Sequence, residues 1–161
     1  MTSGTPADLE KSMAEEIERI FKEDLFFNSN RKEVPMRAYV HSVPIRAGGD
    51  EGIDREVPEP YAVVDATGGT IPDENSAQSV SVTVIIRVCD DGTDRQGHMD
   101  ILHAINKIYK RFAADPVLGG KYAVTYPMQW AVSDEDEYPY YTGGLLLAFD
   151  VPAVEKEDPL T

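Results

Sequence analysis

The chain has 161 residues, 42% of them hydrophobic, with 29 acidic against 15 basic side chains and a net charge of -14. A chain of that length buries a core without disulfides, and its single cysteine, Cys89, excludes an internal one. The charge excludes a phosphate-tracking nucleic-acid binder, which needs clustered Lys and Arg. No apolar run approaches the ~18 residues that cross a bilayer.

In chain order, Thr5-Pro6-Ala7-Asp8 opens a first helix, with Thr5 as N-cap and Pro6 at the first helical position. Leu9, Met13, Ile17, Ile20 and Phe21 form its apolar stripe, and the helix is expected to end near Leu25. The N-terminus lacks a basic start followed by an apolar block, so no secretory leader is expected. Met36, Ala38 and Val40 alternate with Arg37, Tyr39 and His41, which predicts a strand over 35–43. Residues 46–60 are rich in Gly, Pro and acids and read as a long flexible loop. Tyr61–Ala66 is a short apolar strand, and Thr67-Gly68-Gly69-Thr70 reads as a turn.

The best-specified stretch is 78–112. Val80, Val82, Val84, Ile86 and Val88 recur with the period of a half-buried strand, and Asp90-Asp91-Gly92 supplies turn chemistry. Thr93 and Gln96 match a capping box ahead of a helix whose apolar positions are Ile101, Leu102, Ile105, Ile108, Tyr109 and Phe112. Asp115-Pro116 stops that helix. Tyr122–Val132 then forms a strand interrupted by Pro127, a residue confined to edges and bulges. A last strand runs from Leu145 to Val151, and an acidic tail occupies about 153–161. The order predicts one α+β domain over 1–161, with a mixed or antiparallel sheet of about four to five strands and both helices packed on one face. The final two strands are close enough for an antiparallel pair.

Asp134, Glu135, Asp136 and Glu137 invite a metal or glycosidase reading, but successive side chains of an extended segment point to opposite sides. The acid–glycine–glutamate spacing of a calcium loop is absent too. His98 and His103 are five apart, more than a quarter turn out of line on a helix, and offer no zinc pair. Gly68-Gly69 and Gly143-Gly144 precede no phosphate-cradling helix, and no serine lies in a nucleophile elbow. Cys89 reads as a small, partly buried side chain in a reducing compartment. These readings leave no catalytic, cofactor-binding or metal residue to name. Tyr138, Tyr140 and Tyr141, beside the acidic run Asp134–Glu137, instead fit a protein interface, where tyrosine gives contact area at low entropic cost.

Several segments together resemble neck-region proteins of long-tailed bacteriophages, above all the tail terminator or tail completion family. They are the strand Val80–Cys89 with Asp90-Asp91-Gly92, the helix start Gly97-His98-Met99-Asp100, the run Tyr138-Pro139-Tyr140-Tyr141-Thr142-Gly143-Gly144, and Phe149-Asp150-Val151-Pro152. The resemblance covers about residues 78–152. It implies a virion structural protein, assembled in the host cytoplasm, that is not an enzyme and needs no cofactor. Its subunits would close into a hexameric ring at the head-proximal end of the tail tube, touching the tube protein and the head–tail connector. An acidic ring suits a channel through which DNA slides without sticking. Another neck or head-closure subunit is the alternative within the family. A small acidic metal-binding domain, or an adaptor for a basic partner, is the alternative outside it.

Overall fold

The computed structural model describes residues 4–27, 32–43, 59–92, 96–135 and 137–154. The expected loop at 46–60 (apart from Glu59 and Pro60), Thr93 of the capping box, Asp136, and most of the acidic tail lie outside the described residues. The elements are α1 (Pro6–Ile20), β1 (Leu25–Phe27), β2 (Glu33–Pro35), β3 (Arg37–Val40), β4 (Tyr61–Thr70), β5 (Gln78–Cys89), α2 (Gln96–Ala114), β6 (Val117–Leu118), β7 (Tyr122–Val132) and β8 (Tyr140–Val151).

The fold is α+β, with a curled six-stranded sheet in the order β3-β4-β5-β8-β7-β6 and a separate β1–β2 ribbon. The sheet is mixed because β3 runs parallel to β4 while the other pairs are antiparallel. Six strands exceed the expected four to five, because a two-residue strand and a split segment carry no periodic signal long enough to read. The expected strand over 35–43 is instead two pieces. Pro35, which has no amide to donate, closes β2, and β3 begins after a break at Met36.

Both helices lie on one face of the sheet. The Thr5 hydroxyl accepts from the Asp8 amide at 3.0 Å and fixes the start of α1. Leu9, Met13 and Ile17 face inward at 0% exposure, over β3 and β4. α1 stops at Ile20 rather than near Leu25. Phe21 turns down to meet Phe26 edge-on at 6.1 Å, and Leu25–Phe27 is drawn into the ribbon with β2.

α2 covers β5, β7 and β8 with Ile101, Ile105, Ile108 and Phe112, and Phe112 meets Phe149 edge-on at 5.6 Å. Tyr109, expected in the stripe, is exposed and Leu102 is only half-buried, while Ala104, beside Ile101, Ile105 and Ile108 on the inward face, is buried. The alternating residues of β5 from Val80 to Val88 are all buried and complete the core. Each large apolar side chain there contributes about 1.5–3 kcal/mol by leaving water.

The two glycine pairs do not turn the chain. Gly68 and Gly69 lie within β4, past a bulge at Ala66/Gly68, and Gly143 and Gly144 lie within β8. A Cβ on Gly69 would sit 2.6 Å from the Ser79 carbonyl, so glycine there permits close pairing with β5. β8 inserts between β5 and β7 and pairs antiparallel with each.

Candidate functional site

The predicted surface residues gather where β5 ends, α2 begins and β7 passes to β8. Their side chains divide between the two faces of the sheet. Tyr141 stands opposite Val88 in the register and points under α2. A Cβ on Gly97 would lie 2.2 Å from its ring, so the helix start is glycine because the tyrosine occupies that space. Tyr140, one residue earlier, points the other way. The Arg87 guanidinium lies 4.6 Å from its ring centroid, a cation–π stack. Tyr138 is 54% exposed and its hydroxyl donates to the Asp91 carbonyl. The three tyrosines predicted as one surface therefore serve three purposes, and only Tyr138 is mainly surface.

Arg87 organises the turn. It donates to Glu137 Oε2 at 3.0 Å and to Thr142 Oγ1 at 3.4 Å, while the backbone bonds Tyr140 N–H to Glu137 C=O and Asp90 N–H to Pro139 C=O close the loop. Of the acidic run, Glu137 is thus paired. Asp134 and Glu135 are exposed and form no ion pair among the described residues. These groups border a cavity of about 600 Å³, lined also by His98, Val132 and Tyr141.

Arg87 and Glu59 were not expected in the site, and Asp90 was expected only as a turn residue. Arg87 is the sole charged side chain in β5, and that interruption of an apolar and hydroxyl strand was the available signal. Glu59 is buried and its Oε2 has no hydrogen-bond partner among the described residues. The Asp90 Oδ2 is likewise enclosed without a partner among the described residues, although Oδ1 accepts from the Gly92 amide at 3.0 Å. Local pattern announced Asp90 as a turn residue but announced the burial of neither carboxylate, because that depends on strands that meet only in the fold.

The electrostatics follow the burial. Loss of water pushes the Cys89 thiol above its ordinary value, and the nearby carboxylates of Glu59, Asp91 and Asp90 push it further, so the thiolate is disfavoured. Burial also raises the Tyr61 hydroxyl, against a smaller opposing effect of Arg87. Among the described residues no group of three or more His, Cys, Asp or Glu side chains converges on a metal position. His41 pairs with Asp65 (Nδ1 to Oδ1, 3.2 Å), far along β4 from the acidic turn. His103 borders a different hollow, beside Phe26 and Lys107. Among the described residues no helix is long and apolar enough to span a membrane.

No family model matches the chain, and comparison with curated proteins gives no match.

Proposed function

We propose that this protein is a structural subunit of the tail-terminator type, forming a ring at the head-proximal end of a phage tail tube and supporting head–tail joining. The observation that carries the reading is the far face of the six-stranded sheet. Both helices pack on one side, and among the described residues no element covers the other. That face displays Ile85 and Leu146 at about 40% exposure, with the edge-on pair Tyr39 and Tyr61 (ring centroids 6.5 Å apart) toward one margin. Such a subunit suits assembly by contacts between copies, and a head-to-tail contact that closes by rotation produces a ring. The resemblance over residues 78–152 supplies the identity of the ring, and the net charge of -14 suits a channel that DNA must traverse without adhering. The subunit would act in the virion neck, next to the tube protein and the connector, without cofactor or catalysis.

The test is direct. Purified protein added to isolated tail tubes is expected to place a ring at one end in electron micrographs, and light scattering of concentrated protein is expected to give a mass several times that of one chain. Bare tubes together with a monomer at every concentration would refute the proposal.

A further inference from the structure

The outer edge of β7 has no partner along half its length among the described residues. Among the described residues it is paired with β6 only at Tyr122 and Ala123, and the Val124 amide bonds the Pro116 carbonyl at 2.8 Å. Pro127, within the irregular stretch between Thr125 and Gln129, has no amide to offer. Beyond it the register with β8 resumes, Gln129 opposite Leu146 and Ala131 opposite Gly144, and the Ser133 amide donates to the Thr142 carbonyl. In an antiparallel ladder alternate residues turn both main-chain groups to the same neighbour. Gln129 and Ala131 therefore face β8, and Met128, Trp130 and Val132 direct their amides and carbonyls outward.

The opposite sheet margin is managed differently. β3 has only four residues, and its outward Ala38 amide is taken by the Glu18 carboxylate of α1 at 3.1 Å. Short length and an occupied amide are the ordinary defences of an edge. From Met128 onward β7 has neither among the described residues.

We propose that this edge is a docking strand for an extended, basic segment of another protein. Main-chain pairing along Met128–Val132 would supply affinity, as in β-strand addition. The charge at its end supplies the choice of partner. β7 runs directly into Asp134 and Glu135, which have no ion pair among the described residues, beside the 600 Å³ cavity bordered by Glu137 and Tyr138. A segment with Lys or Arg at alternate positions places ammonium or guanidinium groups against those carboxylates and the tyrosine ring. A second copy of the chain suits the edge poorly, because its own β3 is short with its outward Ala38 amide occupied, and a chain of net charge -14 repels its like.

Trp130 makes the proposal measurable. It is the only tryptophan in the chain, lies on this edge and is 60% exposed, so its emission reports the site alone. The intact protein is titrated with acetyl-Lys-Val-Lys-Val-Lys-Val-amide, with the Glu-for-Lys counterpart, and with a version N-methylated at alternate residues. The expected result is a saturable blue shift with the lysine peptide and none with the glutamate peptide. Affinity is expected to fall at least about tenfold for the N-methylated peptide, and to weaken in the Asp134→Asn, Glu135→Gln double variant with an unchanged circular dichroism spectrum. Three results would each overturn it. They are no shift with the lysine peptide, equal binding of the N-methylated one, or a blue shift on concentrating the protein alone, which would assign the edge to a second copy.

Discussion

Tyr122 joins the first helix to the sheet through a single hydroxyl. Fully buried at the start of β7, it donates to Asp8 Oδ2 at 2.6 Å and accepts from the Thr5 amide at 3.2 Å. Its burial, reinforced by the Asp8 carboxylate, raises the hydroxyl from 10.0 to about 12. The hydrogen bond from Tyr122, followed by the nearby Lys121, holds Asp8 below its ordinary value. A raised pKa stabilises the fold fully below pH 10, and that contribution is lost as pH climbs toward 12. Tyr122→Phe is therefore expected to flatten the alkaline limb of a stability–pH profile between pH 10 and 12, relative to the native chain. Identical limbs in the two proteins would refute the assignment.

Gly97 poses a steric problem at the same scale. With 2.2 Å between a new Cβ and the Tyr141 ring, Gly97→Ala forces a clash that alanine's better helix propensity does not offset. A loss of about 1–3 kcal/mol in denaturant unfolding is expected. Combining it with Tyr141→Ala should cost less than the sum of the two, since the clash has gone. Strict additivity would mean that the two residues do not oppose each other.

Among elements, the seam between α1 and α2 depends on Arg111. Its guanidinium bonds Glu16 of α1 and also donates to the carbonyls of Asp115 and Val117, so one side chain ties two helices and closes the end of α2. Burial tends to raise the Glu16 carboxyl, but hydrogen bonds from Arg19 and Arg111 outweigh it and leave the value lowered. Arg111→Ala is expected to cost about 1–3 kcal/mol. Arg111→Lys should recover only part, because an ammonium lacks the fork that reaches three acceptors. Full recovery by lysine, read from thermal melts, would reduce the role of Arg111 to charge.

How much of each element was legible follows from the length of its pattern. Val80–Val88 and the α2 stripe span many periods; the strand stands where its alternation placed it, and the stripe does so at Ile101, Ile105, Ile108 and Phe112 but not at half-buried Leu102 or exposed Tyr109. The extension of β4 through Gly68 and Gly69, and of β8 back to Tyr140, were hidden because glycine and tyrosine carry turn and interface associations that cross-strand pairing overrides. Tyr138, Tyr140 and Tyr141 are adjacent in sequence, yet alternation in β8 and the turn before it send them to different surroundings.

For the whole molecule, charge is the dominant global term. With 29 acidic and 15 basic side chains, the compact state repels itself, and salt screens repulsion between exposed charges. Raising the ionic strength from about 0.02 to 0.5 M, across which the Debye length shortens several-fold, is expected to raise Tm. A falling Tm would show that ion pairs such as Arg87–Glu137 and Lys107–Asp24 outweigh the net repulsion.

The amino-acid order determined the two helices, the long central strand and the single-cysteine, acidic character, because periodicity and capping act between residues a few positions apart. Strand order, the insertion of β8 between β5 and β7, the burial of Glu59 and the division of the tyrosines arose only in the tertiary structure. The physical reason is that a strand's neighbour is chosen by non-local burial and hydrogen bonding, and those partners lie as far apart along the chain as Gln78 and Val151.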